Sequence, residues 1–204
     1  MNDQLCSIHK TGIIILAAGN SSRLGHVKQL LSFNGKTLLQ HAIDEATNAG
    51  ANPIVVVLGS KAEEIAETIH RDGIALHINN HWEKGMASGI SGGVNKAITL
   101  DKNLEQLIIT VCDQPYVSTI LFKQLYAEQQ KSGKHIVACA YADTVGTPVL
   151  FSKQYFSHLL QLTGEEGAKK IVKAHMEEVA VFEFPQGAID IDTVEDYDGL
   201  VHIE

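Results

Sequence analysis

Apolar, β-branched runs recur along the chain at residues 12–16, 54–58, 74–78, 107–111, 136–141 and 179–184. Several are almost unbroken, as strands covered by helices on both faces tend to be. Helical patterns fill the intervals. Residues 38–49 place Leu38, Leu39, Ala42, Ile43 and Ala46 on one stripe and end before Gly50, a suitable residue just past a helix terminus. Residues 61–70 carry Ile65 and Ile69, with Glu63 and Glu64 at the end where the helix dipole favours acids. Residues 119–131 close at Gly133, and residues 167–175 carry Ala168, Ile171, Val172 and Ala174. Strands alternating with helices predict a Rossmann-like three-layer α/β/α domain with a mostly parallel sheet and ligands beyond the carboxyl ends of its strands. A hairpin or lid is expected around residues 141–151.

Bulk properties narrow the classes. A chain of 204 residues suits one domain spanning residues 1–204 and buries enough surface to need no covalent staples. The net charge of −8 speaks against nucleic-acid binding, which needs a basic face. The 3 cysteines form neither a CxxC pair nor a zinc spacing, as expected of a reducing compartment. The apolar run at 13–18 is too short for a membrane span and no leader is recognisable, so a cytoplasmic protein without membrane attachment is expected.

The segment after the first strand, L-A-A-G-N-S-S-R-L-G-H-V-K from Leu16 to Lys28, carries the most chemistry. Gly19 and Gly25 let backbone approach a phosphate, Ser21 and Ser22 add hydroxyl donors, and Arg23 and Lys28 add positive charge. At an effective dielectric near 20, each cation about 4 Å from a phosphate oxygen gains roughly 4 kcal/mol before desolvation. The spacing is neither a G-x-G-x-x-G dinucleotide loop nor a Walker loop. A solvated turn of the same composition is the bland alternative.

Acidic residues form the second group. Asp113, in Cys112-Asp113-Gln114-Pro115, follows a predicted central strand and faces the same crevice, where it can hold Mg²⁺ or merely shape an Asp-x-Pro turn. In Ile189-Asp190-Ile191-Asp192-Thr193-Val194-Glu195-Asp196, the i, i+2 spacing sets Asp190 and Asp192 on one side of an extended segment. Thr193 and Asp196 also have helix-start spacing, so an aspartate that serves only as a cap is the alternative. Gly85, Met86 and Ser88 precede a helix, where Ser88 can meet a base edge or the glycine can simply turn the chain.

The pattern L-A-A-G-x-S-x-R-x-G-x-x-K resembles the NTP-transferase superfamily of pyrophosphorylases and molybdenum cofactor nucleotidyltransferases. C-D-Q-P and D-I-D-T-V-E-D-Y add a likeness to its molybdenum cofactor cytidylyltransferases, which carry G-D-Q-P and D-I-D-T-P-E-D-Y in that order. The resemblance implies a nucleotidyltransferase in which Leu16, Ala17, Ala18, Gly19, Ser21, Ser22, Arg23 and Lys28 wrap the nucleotide, with Gly85, Met86 and Ser88 beside the base. It implies Arg23, Lys28 and Asp113 as catalytic residues, Mg²⁺ on Asp113 and Asp192, and an acceptor side holding Gly146, Pro148, Lys169 and Asp190. Val27 and Val194 stand where the family has proline, Cys112 where it has glycine, and the family's G-M-x-x-S serine falls at Gly89. Ala18 favours the cytidylyl form, hence CTP and a molybdopterin-type acceptor, with a molybdenum hydroxylase receiving the product. A sugar-1-phosphate acceptor, a non-catalytic cofactor carrier and an NAD-binding oxidoreductase are the alternatives.

Overall fold

The computed structural model of the protein describes residues 8–19 and 25–201. Its strands are β1 (Thr11–Ala17), β2 (Ser32–Phe33), β3 (Lys36–Thr37), β4 (Ile54–Leu58), β5 (Ile74–Ile78), β6 (Gln106–Val111), β7 (Ile136–Tyr141), β8 (Thr144–Ser152) and β9 (Val179–Glu183). The helices are α1 (Leu38–Asn48), α2 (Ala62–Ala66), α3 (Met86–Leu100), α4 (Thr119–Ser132), α5 (Phe156–Leu160), α6 (Ala168–Ala174) and α7 (Val194–Val201).

A 7-stranded sheet in the order β5-β4-β1-β6-β8-β7-β9 forms the middle layer. Every pairing is parallel except those of β8, which runs antiparallel to both β6 and β7. Ile13, Ile15, Val56 and Leu58 pack on one face with Leu39, Ile43, Phe122 and Leu125 of α1 and α4. Ile14, Val55, Val57 and Ile109 pack on the other with Ile90, Val94, Phe156 and Ile171 of α3, α5 and α6. Each such side chain, fully buried, contributes roughly 1.5–3 kcal/mol of transfer free energy, so covering both faces is what holds the apolar strands central. Among the described residues no helix is long and apolar enough to cross a membrane.

The chain adds β4 and β5 on one side of β1, then crosses to place β6 on the other. Leu16 is in register with Val111, so the loops after β1 and β6 leave the sheet side by side and open a crevice. A third apolar cluster of Leu38, Ile191 and Leu200 brings the C-terminal segment back to that crevice.

Local departures from the sequence reading have physical causes. The helix expected over 61–70 covers only Ala62–Ala66. Lys61 has φ 55, outside the helical region, and Thr68 bonds Ile65 O through both its amide (3.1 Å) and its hydroxyl (2.7 Å), tightening the last turn. The hairpin expected around 141–151 is present, but its second arm, β8, lies within the main sheet. Its turn residues Ala142 and Asp143 have φ 46 and 58, as a type I′ turn requires, although neither is the usual Asn or Gly.

Candidate active site

The loops after β1 and β6, the start of α3 and the Glu165 turn enclose a cavity of about 440 Å³. Leu16, Ala17, Ala18, Gly19, Lys28, Gly85, Met86 and Asp113, all candidates from the sequence, are among its lining residues. Ser21, Ser22 and Arg23 lie outside the described residues. Val27 has φ −71, close to the angle a proline would impose, so the approach to Lys28 has a backbone that proline itself could adopt.

Lys28 joins the two acidic segments. Its Nζ donates to Asp113 Oδ2 at 2.5 Å and to Asp192 Oδ1 at 3.1 Å. Burial opposes the lysine charge, but the Asp113 carboxylate and the two hydrogen bonds prevail and hold its pKa above the ordinary lysine value. The C-terminal segment reaches this point because Ile191 is buried and its N–H donates to Asp113 O at 3.1 Å. Asp190 and Asp192 consequently flank an inward isoleucine. Thr193 and Asp196 form a reciprocal capping box: Asp196 N donates to Thr193 Oγ1 at 3.2 Å, and Thr193 N donates to Asp196 Oδ2 at 2.7 Å. Thr193 is therefore the N-cap and Asp196 the capping carboxylate, while Asp192 meets the lysine.

Asp113 and Asp192 present hard oxygens that converge on one cationic group. That donor set suits a small divalent ion, which takes one or two carboxylates and fills its remaining positions with water and phosphate oxygens. Among the described residues no group of three or more His, Cys, Asp or Glu is arranged to hold a metal. The Asp190 pKa is raised by partial burial of its carboxyl and then by the charges of Asp192 and Asp113. Cys112 is buried, and burial together with Asp113 pushes its thiol pKa up to about 12, in keeping with a packing side chain.

Ser88 requires a correction. Its hydroxyl accepts from Asn79 Nδ2 at 2.8 Å and lies 2.9 Å from the Gly85 carbonyl oxygen, to which it donates. It is absent from the cavity lining, whereas Gly89 is present. One residue along a helix turns a side chain by about a quarter turn or more, enough to take the hydroxyl off the lining. Pro148 likewise lies outside the linings. It is buried in the β-bulge of β8, where the register jumps from Ala138↔Val149 to Cys139↔Gly146 and a missing N–H costs no ladder bond.

A second cavity of about 380 Å³ shares Leu16, Met86, Val111 and Glu165 with the first and extends to Tyr141, Gly146, Thr147 and Lys169. The Lys169 ammonium donates to Thr144 Oγ1. The structure thus brings Gly146 and Lys169 to one chamber beside the nucleotide-sized one. The dividing turn is pinned by Ala87 N donating to Gly164 O at 3.2 Å. Gly85, at φ 103, allows this: a Cβ there would lie 2.3 Å from Gly164 O.

Gln29, Asn79, Trp82, Glu83 and Glu165 also line the first cavity and are absent from the sequence-derived site. Gln29 is buried, with Nε2 donating to Ala17 O at 2.8 Å and to Gly19 O at 3.2 Å, so it fixes the start of the loop from beneath. Its place directly after Lys28 was the available signal. Trp82 is set by Gly59, whose Cβ would lie 2.7 Å from Trp82 Cβ, a contact no local pattern announces.

Comparison with known proteins places this geometry among relatives. Residues 13–179 match the family described as MobA-like NTP transferase domain. Purine catabolism protein PucB of Bacillus subtilis (strain 168) is 28% identical over 195 residues, covering 91% of this chain and 93% of that protein. Nicotine blue oxidoreductase of Paenarthrobacter nicotinovorans is 29% identical over 138 residues, 67% of this chain and 65% of that one. Probable molybdenum cofactor guanylyltransferase of Bacillus cereus (strain G9842) is 32% identical over 115 residues, 54% of each chain. Among solved structures, Rv0371c from Mycobacterium tuberculosis H37Rv superposes with a TM-score of 0.78 at 28% identity, covering 94% of this chain and 97% of that one. A manganese complex of the same mycobacterial protein gives 0.74 at 26% identity, covering 94% and 97%.

Proposed function

The chain belongs to the MobA-like NTP transferase domain family, and from that premise we propose that it transfers CMP from CTP to a molybdopterin-type acceptor phosphate, releasing pyrophosphate. The observation that carries the reading is the Lys28 ammonium held between Asp113 and Asp192 beside the first cavity. The resemblance to a probable molybdenum cofactor guanylyltransferase supports the acceptor class, and L-A-A-G at Leu16–Gly19 supports cytosine over guanine.

In this reading an acceptor phosphate oxygen, already ionised at pH 7, attacks the α-phosphorus. A new P–O bond forms as the bond to the β-phosphate breaks. No protein nucleophile is required, and positioning and charge neutralisation supply the rate. Asp113 and Asp192 would hold Mg²⁺, which when bound neutralises phosphate charge; the mycobacterial manganese complex supports a divalent ion. Lys28, released from the carboxylates, and Arg23 stabilise the departing pyrophosphate. Gln29 holds the Ala17 and Gly19 carbonyls back from the nucleotide. Met86 and Glu165 bound both chambers, which suits a transfer between two substrates held side by side. Lys169 and Gly146 line the acceptor chamber, Asp190 is assigned to the acceptor side beside Asp192, and Pro148 shapes the strand behind it. A molybdenum hydroxylase would receive the product.

The test is pyrophosphate release with Mg²⁺ and each of the four NTPs, with and without molybdenum cofactor. Release with CTP only when cofactor is present is expected. Nucleotide binding without release from folded protein would turn the assignment toward a carrier. One relative named as an oxidoreductase favours a second reading, a redox role for this fold. Binding of NADH but not CTP would select it.

A further inference from the structure

Gln114 directly follows Asp113, yet it lines neither cavity and is only 6% exposed. Its carboxamide is engaged on every side. Nε2 donates to Gly187 O at 2.7 Å and to Tyr141 Oη at 3.2 Å, while Oε1 accepts from Thr147 Oγ1 at 3.2 Å. A backbone carbonyl can only accept, so the Gly187 contact fixes which end of the amide faces which partner.

The partners come from three places. Tyr141 ends β7 and Thr147 lies in the bulge of β8, and both line the acceptor-side cavity. Gly187 belongs to the segment that delivers Asp190 and Asp192. The Tyr141 ring is clamped between glycines: a Cβ on Gly146 would lie 2.4 Å from its Oη, and one on Gly187 would lie 2.5 Å from its Cδ1. A second tie, Ile191 N to Asp113 O, closes the C-terminal segment onto the same loop. Between these ties, the path from Asp113 to Asp192 has little freedom.

We propose that Gln114 is a positioning residue that sets the spacing of the Asp113 and Asp192 carboxylates and couples it to the acceptor wall formed by Tyr141 and Thr147. The inference rests on the reading that the two carboxylates hold a divalent cation. Removing the amide strands the Gly187 carbonyl in a buried setting and frees the segment beyond it. Polar groups around metal ligands commonly control affinity by about tenfold or more. A hydroxyl on β8 thereby gains influence over a cation that it does not touch.

The test is Mn²⁺ binding to the full chain without nucleotide, read from the free-ion electron paramagnetic resonance signal, with thermal melting as the folding control. Gln114→Met is expected to weaken Mn²⁺ binding about tenfold. Thr147→Val is expected to weaken it in the same direction, and Thr147→Ser to restore the wild-type value, a hydroxyl dependence that packing alone does not produce. If Gln114→Met fails to fold, the Thr147 pair decides. Wild-type affinity in Thr147→Val overturns the proposal, as does wild-type affinity in folded Gln114→Met. Wild-type protein that binds no Mn²⁺ overturns it together with the metal assignment. Wild-type protein that binds Mn²⁺ but releases no pyrophosphate removes the transfer reading, and the Mn²⁺ comparison of variants still decides this one.

Discussion

The backbone N–H of Ile191 donates to the carbonyl oxygen of Asp113 at 3.1 Å, and through this bond the last part of the chain completes a site begun at residues 16–28. Asp192, one position further, then meets the lysine of the first loop at 3.1 Å. Residues separated by 164 positions thus share one ion pair.

Lys28→Ala and Asp113→Ala are each expected to lower kcat roughly 10²–10³-fold, the scale for one preorganised charge contact. Steady-state pyrophosphate release by the purified variants measures it. Wild-type turnover in either would remove that residue from the chemistry.

Lys28→Met is expected to destabilise the metal-free protein by about 1–3 kcal/mol, because the buried pairing of Asp113 is lost. Added Mn²⁺ should recover part of the loss. Since the folded-state pKa of Lys28 lies above the ordinary 10.5, the contribution is complete below that pH and fades only as pH rises through the folded value. Urea unfolding of wild type and variant should therefore differ by a constant amount from pH 6 to about pH 9. A difference that collapsed within that range would contradict the ion-pair account.

Asp190→Asn is expected to raise the melting temperature of the metal-free protein at neutral pH. Burial, then Asp192 and Asp113, raises the folded-state pKa of Asp190 above its ordinary 3.8. The sign follows: its favourable contribution is present below 3.8 and is lost as pH rises through the folded value. The gain from asparagine should consequently be seen at pH 7 and vanish in strong acid. An equal gain at both ends would point to packing instead of charge.

Gly85→Ala is expected to cost more than about 1 kcal/mol, since alanine tolerates φ 103 poorly and its Cβ would meet Gly164 O. Because the displaced turn carries Glu165, which borders both cavities, KM should rise for nucleotide and acceptor together. A rise for only one substrate would show that the turn does not serve both chambers.

Much of this site was legible in order along the chain, because glycine, lysine and aspartate at strand ends have few other uses in so tight a pattern. The i, i+2 parity of Asp190 and Asp192 held even though residues 189–193 form no ladder, since Ile191 alone needed burial. Ser88 misled because one residue of helical phase decides between lining a cavity and capping a turn. Trp82 and Asn79 were hard to read for a different reason: each is placed by a partner in another element, Gly59 and Ser88 respectively. In the fold, β8 was hard to read as a sheet member because its antiparallel direction depends on a two-residue turn without Asn or Gly.

The β6–β8 ladder reaches only Ile109↔Val149, so the portion of β8 carrying Thr144 to Pro148 lies beyond it, paired within the sheet to β7 alone. The nucleotide chamber rests on the parallel seam of β1 and β6, which that portion never enters. In the proposed function, acceptor choice therefore lies with a hairpin tip outside that seam, joined to the Asp113 loop through Thr147 and Gln114. A lineage that rewrote the hairpin tip by drift or insertion would exchange one acceptor for another and keep the phosphate-handling half unaltered so long as Tyr141 and Thr147 still held Gln114.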